Sequence, residues 1–231
     1  MKYINKEQEP EELRSWLDSQ FDEDGNRLGC DYRNDLPTDV RRALLDHLLR
    51  EQGFLCCYTG ISIDKDDSHV EHFKPYSLCR KEGKYEDVSY LNLLAAYPGN
   101  DYKNEDSRSK KCPFGAPEKN DWYDPINFVS PLNNDCEARF RFDDYGKVEA
   151  TNNLDIAAQT TIEKLVLNHG RLKDLRKAAI DEALFPIDIE LDESELRAIA
   201  DGAYSVKSED GKFPGFCFVI EQVAKQLISV K

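Results

Sequence analysis

Apolar positions in this chain repeat with a helical period towards both ends and with a period of two near the middle. Residues 9–20 (EPEELRSWLDSQ) place Leu13, Trp16 and Leu17 on one face behind Pro10, which predicts a short helix. Residues 21–37 are polar and turn-rich. Val40, Leu44, Leu45, Leu48 and Leu49 then line one side of a helix running to Gln52, with Thr38 as its predicted N-cap and Gly53 as its stop. Residues 54–63 (FLCCYTGISI) read as a strand, a turn and the start of a second strand. Residues 69–74 alternate as a strand does, and residues 90–97 (YLNLLAAY) form another apolar run.

Residues 98–124 read as loop, with a basic stretch from Arg108 to Lys111. Residues 138–149 (ARFRFDDYGKVE) have the alternation and central Tyr-Gly of a hairpin. Helical periodicity then predicts helices over 155–168, 170–184, about 192–201 and 214–228. The fold class expected is α+β, a mostly helical scaffold around a mixed central module. Two regions are expected: 1–150, holding the first helices and that module, and a helical region over 151–231.

Composition narrows the function classes. The chain has 231 residues, 40% apolar and 33% charged, with no run long enough to span a membrane. Its opening, MKYINKEQEP, lacks the apolar stretch of a signal peptide. Seven cysteines, an odd number with Cys56 and Cys57 adjacent, make a poor disulfide framework and point to a reducing cytoplasm. A net charge of −14 argues against a broad basic surface for nucleic acid. Any such contact is then local, metal-assisted or supplied by a partner.

The candidate chemistry lies in His69-Val-Glu-His72-Phe-Lys-Pro75 and Tyr90-Leu-Asn-Leu-Leu94. A histidine is the side chain most readily available as a neutral base near pH 7, so His72 is the candidate base. Asn92, an amide inside an apolar run, must satisfy its hydrogen bonds by fixing a loop or by orienting an imidazole. Alternation puts Val70, His72 and Lys74 on one strand face and Glu71 and Phe73 on the other. Glu71 and His72 therefore share a pocket only if the strand twists or ends there, as Pro75 allows. The plain alternative is a polar strand with two surface histidines. His47 and His169 read as helix-surface or C-terminal capping residues, and Trp16 and Trp122 as packing anchors.

The ordered set Cys56-Cys-Tyr-Thr-Gly60, His69 through Pro75, Asn92-Leu-Leu94, Cys112-Pro-Phe-Gly115 and Trp122-Tyr-Asp-Pro125 resembles the HNH endonucleases of retron and Septu anti-phage systems, the PtuB-like group. Pro131 through Phe142 extends the likeness, which covers roughly residues 1–180. The resemblance implies a ββα-metal (HNH, His-Me finger) module over about 54–125. It implies metal-dependent hydrolysis of phosphodiester bonds, with His72 as general base, Glu71 as acidic metal ligand and Asn92 as the central Asn. Asn100 is favoured for the last position, with Asn104 and Asn120 as rivals. The implied cofactor is Mg2+ (or Mn2+), and Lys74, Lys110 and Lys111 would contact nucleic acid, DNA or RNA, with DNA favoured.

Implied partners are a PtuA-like ATPase and, in the retron form, a reverse transcriptase with its DNA–RNA product. Docking would fall to the region after residue 150. Many relatives carry a zinc held by two Cys-x-x-Cys pairs. Here Thr59 stands at one thiol position and Cys112 has no companion, so a structural zinc is not expected. These departures also admit a second reading, an adaptor with a decayed nuclease motif that binds the ATPase.

Overall fold

A computed structural model describes residues 1–25, 28–99, 112–188 and 190–229. Within them the mixture of helices and two small sheets is compatible with the expected α+β class. Helix α1 (Glu11–Asp18) buries Leu13 and Trp16, and α2 (Thr38–Glu51) buries Val40, Leu44, Leu48 and Leu49, as their spacing predicts. Thr38 is the first residue of α2 rather than its cap. Pro37 holds the cap position in extended backbone, and no side chain bonds the free N–H groups.

Strand β1 (His69–His72) pairs antiparallel with β2 (Leu93–Ala96), His72 facing Leu93 and His69 facing Ala96. Side chains complete the other edge of β2. Gln52 donates to the Ala95 carbonyl and accepts from the Ala95 N–H, while Lys6 donates to the Leu93 carbonyl. An edge satisfied in this way is buried without orphaned backbone groups. Residues 54–63 make no two-strand ladder. They form a tight turn closed by the single bridge Leu55–Ser62.

Between β1 and β2 lies α3 (Tyr76–Glu82), which the periodicity did not predict; it starts after Pro75 and ends at Gly83 in left-handed backbone. The short helix α4 (Ala116–Lys119) follows Gly115. β3 (Phe140–Phe142) and β4 (Val148–Ala150) form the expected hairpin, docked on α6 (Gly170–Leu184) with α5 (Ile156–Lys164) leading into it. His169 is the N-cap of α6, accepting from Arg171 N, and not a C-terminal cap. His47 is half-buried and bonded to the Tyr90 hydroxyl at 2.9 Å.

Helices α7 (Glu193–Ala200) and α8 (Cys217–Ser229) complete the described fold. One apolar core runs from Met1 to Ala224 without a break near residue 150, and Phe218 of α8 fills the space above Gly60. No described helix is long and apolar enough to cross a membrane.

The hairpin turn explains its glycine. Gly146 has φ +74°, and a Cβ there would lie 2.4 Å from the Lys173 carbonyl oxygen in α6. Left-handed strain and the clash act together, so Gly146→Ala is expected to destabilise the protein by roughly 3 kcal/mol, read by urea unfolding. An unchanged midpoint would mean the hairpin does not rest on α6.

Candidate active site

The end of β1 separates two side-chain clusters, because successive residues of a strand point to opposite faces. His72 lies on one face and is 9% exposed. Its Nε2 is 2.9 Å from the Asp87 carbonyl oxygen, and Tyr32 meets the ring edge-on with centroids 4.6 Å apart. Tyr76 lies 6.0 Å away on another side. A carbonyl can only accept, so Nε2 carries the proton and Nδ1 keeps the lone pair in the neutral ring. Among the described residues nothing is bonded to Nδ1. Burial lowers the pKa of His72, against an opposing influence from Glu71 and the Asp87 carbonyl.

The segment over His72 is itself pinned. Tyr32 N donates to Asp87 Oδ2 at 3.0 Å, and the Tyr76 hydroxyl donates to Asp31 at 2.8 Å. Arg80 reaches both acids, 3.2 Å to Asp31 and 3.5 Å to Asp87. Arg33 lays its guanidinium 4.1 Å over the Tyr76 ring and is exposed, with no ion pair among the described residues.

Glu71 occupies the opposite face. Its Oε1 accepts from Lys119 Nζ at 2.8 Å and from the Tyr58 hydroxyl at 3.3 Å, and its Oε2 is 3.5 Å from His69 Nε2. Burial alone would raise the Glu71 pKa. The Lys119 charge and the His69 contact outweigh it and bring the value to about 2. Burial likewise opposes charge on His69, but Glu71 and the Pro98 carbonyl raise its pKa. Lys119 is 1% exposed and also donates to the His72 backbone carbonyl at 2.7 Å. It is the link between the two clusters.

Asn92 clamps the chain just after His72. Its Oδ1 accepts from Lys74 N at 2.7 Å, while Nδ2 donates to the Lys74 and Glu86 carbonyls, each at 3.0 Å. The amide thus pairs with Lys74 as a peptide group of a longer β2 would. None of its bonds goes to the imidazole. Phe73 N adds a bond to the Asn92 carbonyl at 2.9 Å.

The sequence-predicted residues therefore divide. His72, Asn92 and the turn between them are brought together, whereas the Glu71 carboxylate faces away into its own ion-pair cluster. Lys74 Nζ is bonded to Glu82 and Glu86, so its charge is already balanced. Asn100, Asn104, Lys110 and Lys111 lie outside the described residues. Sequence reasoning missed Lys119, Tyr32, Asp31 and Asp87. Only the closeness of Lys119 to the Cys112–Gly115 motif could have drawn attention to it.

A divalent ion of the expected kind needs several oxygen ligands, and Glu71 is the carboxylate meant to provide one. Both of its oxygens are taken by cationic or hydroxyl donors. Among the described residues no group of three or more His, Cys, Asp or Glu side chains is arranged to hold a metal. The described residues thus do not fit a metal at Glu71. All seven cysteines are buried free thiols.

No family model matches the chain. It is 27% identical over 150 residues to a Vibrio cholerae serotype O1 biovar El Tor protein named "Retron Vc95 putative HNH endonuclease". The match covers 63% of this chain and 67% of that protein. The chain is thus similar to a protein named as an HNH endonuclease.

Proposed function

We propose that this protein hydrolyses phosphodiester bonds in nucleic acid, with His72 as general base, and acts as the effector of a retron/Septu-type anti-phage system. The observation that carries the reading is the state of His72. One ring nitrogen is bonded to a carbonyl, the other keeps its lone pair in the neutral ring, and burial lowers the pKa of the group. Such a group can take a proton from an attacking water. Asn92 keeps the imidazole in place by fixing the turn that follows it. The Vibrio cholerae relative, by its name, supports the nuclease class and the retron setting.

DNA is the favoured substrate. Because Lys74 is balanced by Glu82 and Glu86, a phosphate would have to displace one of them to reach it. Arg33 is better placed, since its charge is exposed, is in no ion pair among the described residues, and stacks on Tyr76, next to His72. Lys110 and Lys111 remain proposed contacts. Mg2+ or Mn2+, with Asn100 as a ligand, belongs to the proposal through the family resemblance. It would supply charge stabilisation at the phosphate, and Glu71 could join it only by leaving Lys119.

The ATPase partner, and with it a reverse transcriptase and its DNA–RNA product, would dock on the region after residue 150. Exposed Leu154, Ile156, Phe185 and Ile187 offer apolar contact there.

The covered position of His72, beneath Tyr32, favours the adaptor as a second reading. The test is a cleavage assay on plasmid DNA and on RNA, with Mg2+, Mn2+ or EDTA, using the chain alone and with its ATPase and retron partners. Wild type should cut, and His72→Gln, which keeps a donor for the Asp87 carbonyl but is not a base, should lose at least about 100-fold. Wild-type protein inert under every condition would replace the nuclease by the adaptor.

A further inference from the structure

The contact between Lys119 and Glu71 has a consequence for the expected metal ligand. The ammonium sits between a carboxylate oxygen at 2.8 Å and the His72 carbonyl oxygen at 2.7 Å. Those are hard oxygen donors, the kind a divalent cation takes at about 2.0–2.6 Å. Two cations cannot occupy the same side of one carboxylate oxygen at such distances, since their repulsion in a buried site is large. The other oxygen lies 3.5 Å from His69 Nε2, and the second nitrogen of that ring is tied to the Pro98 carbonyl.

Nor is Lys119 a surface side chain that happened to fall there. Its backbone N–H bonds to the Gly115 carbonyl, its carbonyl accepts from Trp122 N, and Gly115 N is bonded to the Leu165 carbonyl. α4 is thus tied at its start to the Leu165 carbonyl, and Lys119 is delivered to β1 across 47 residues of sequence.

We propose that Lys119, and not a divalent ion, is the cation that neutralises Glu71, and that it serves as a positioning residue for His72 through the backbone carbonyl it holds. Glu71 is then an internal counter-ion. The positioning role rests on the nuclease reading; the identity of the cation at Glu71 does not.

The first test is Mn2+ binding by the full chain, followed by electron paramagnetic resonance. Wild type is compared with the double variant Glu71→Gln/Lys119→Met, which leaves no unpaired buried charge. The two titrations should superimpose. A stoichiometric Mn2+ site present in wild type and missing from the double variant would overturn the assignment.

The second test is the split between kcat and KM for cleavage by the complex. Glu71→Gln/Lys119→Met frees the His72 carbonyl, so its kcat should fall about 10-fold below that of Glu71→Gln alone, with KM unchanged. An unchanged kcat would reduce Lys119 to a structural residue. If wild type does not cleave at all, the nuclease reading fails, while the Mn2+ comparison still decides which cation Glu71 holds.

Discussion

Replacing Lys119 by Met should destabilise the protein by about 3–5 kcal/mol, because it strands the Glu71 carboxylate in a buried site. Methionine keeps most of the apolar stem of lysine, so packing should change little and the loss should report the charge. The donors left to Glu71 are the Tyr58 hydroxyl and His69 Nε2, the latter at 3.5 Å. Adding Glu71→Gln should recover much of the stability, since a neutral pair carries no such penalty. Urea unfolding of wild type, the single variant and the double variant reads both effects. A single variant as stable as wild type would mean that the ion pair does not form.

Asn92→Ala should have the next largest effect. It leaves Lys74 N, the Lys74 carbonyl and the Glu86 carbonyl without their partner, at about 1–3 kcal/mol for each that water does not reach. The net loss expected is about 3 kcal/mol, some of the exposed carbonyls being rehydrated. Cleavage should fall about 100-fold through kcat, because the turn behind His72 is no longer fixed and small displacements of a base are costly. Full activity at a temperature where the variant stays folded would show that the clamp does not position the base.

The elements legible in the sequence are those with a period. Leu13 and Trp16, the leucines of α2 and the hairpin around Gly146 each announce themselves through spacing that burial enforces. α3 was hidden because Tyr76-Ser-Leu-Cys-Arg-Lys-Glu82 is too short for a helical period to show. Residues 54–63 alternate well enough for strands, yet Gly60 at φ +77° turns the chain after one bridge.

In the site, His72 and Asn92 were legible because a polar side chain inside or beside an apolar run is conspicuous. Lys119 was not, since nothing local marks a lysine that will pair with an acid 48 residues earlier. Lys74 shows the reverse, a basic residue beside the motif whose charge is already paired in the fold. Its neighbours Glu82 and Glu86 are distant along the chain until α3 folds them back over it. Charge pairing is a property of the fold, and a count of basic residues near a motif does not anticipate it.

The central proposed role is that of His72, which takes a proton from the attacking nucleophile. It is tested most directly by the pH dependence of kcat/KM for DNA cleavage by the assembled complex. The base must be neutral to act, and burial lowers its pKa in the folded protein. The rate should therefore fall on acidification with an inflection below about 6.5, the ordinary histidine value. His72→Gln, folded by circular dichroism, should cut at least about 100-fold more slowly and lack that limb. Undiminished cutting by His72→Gln, with the same acid limb as wild type, would contradict the account.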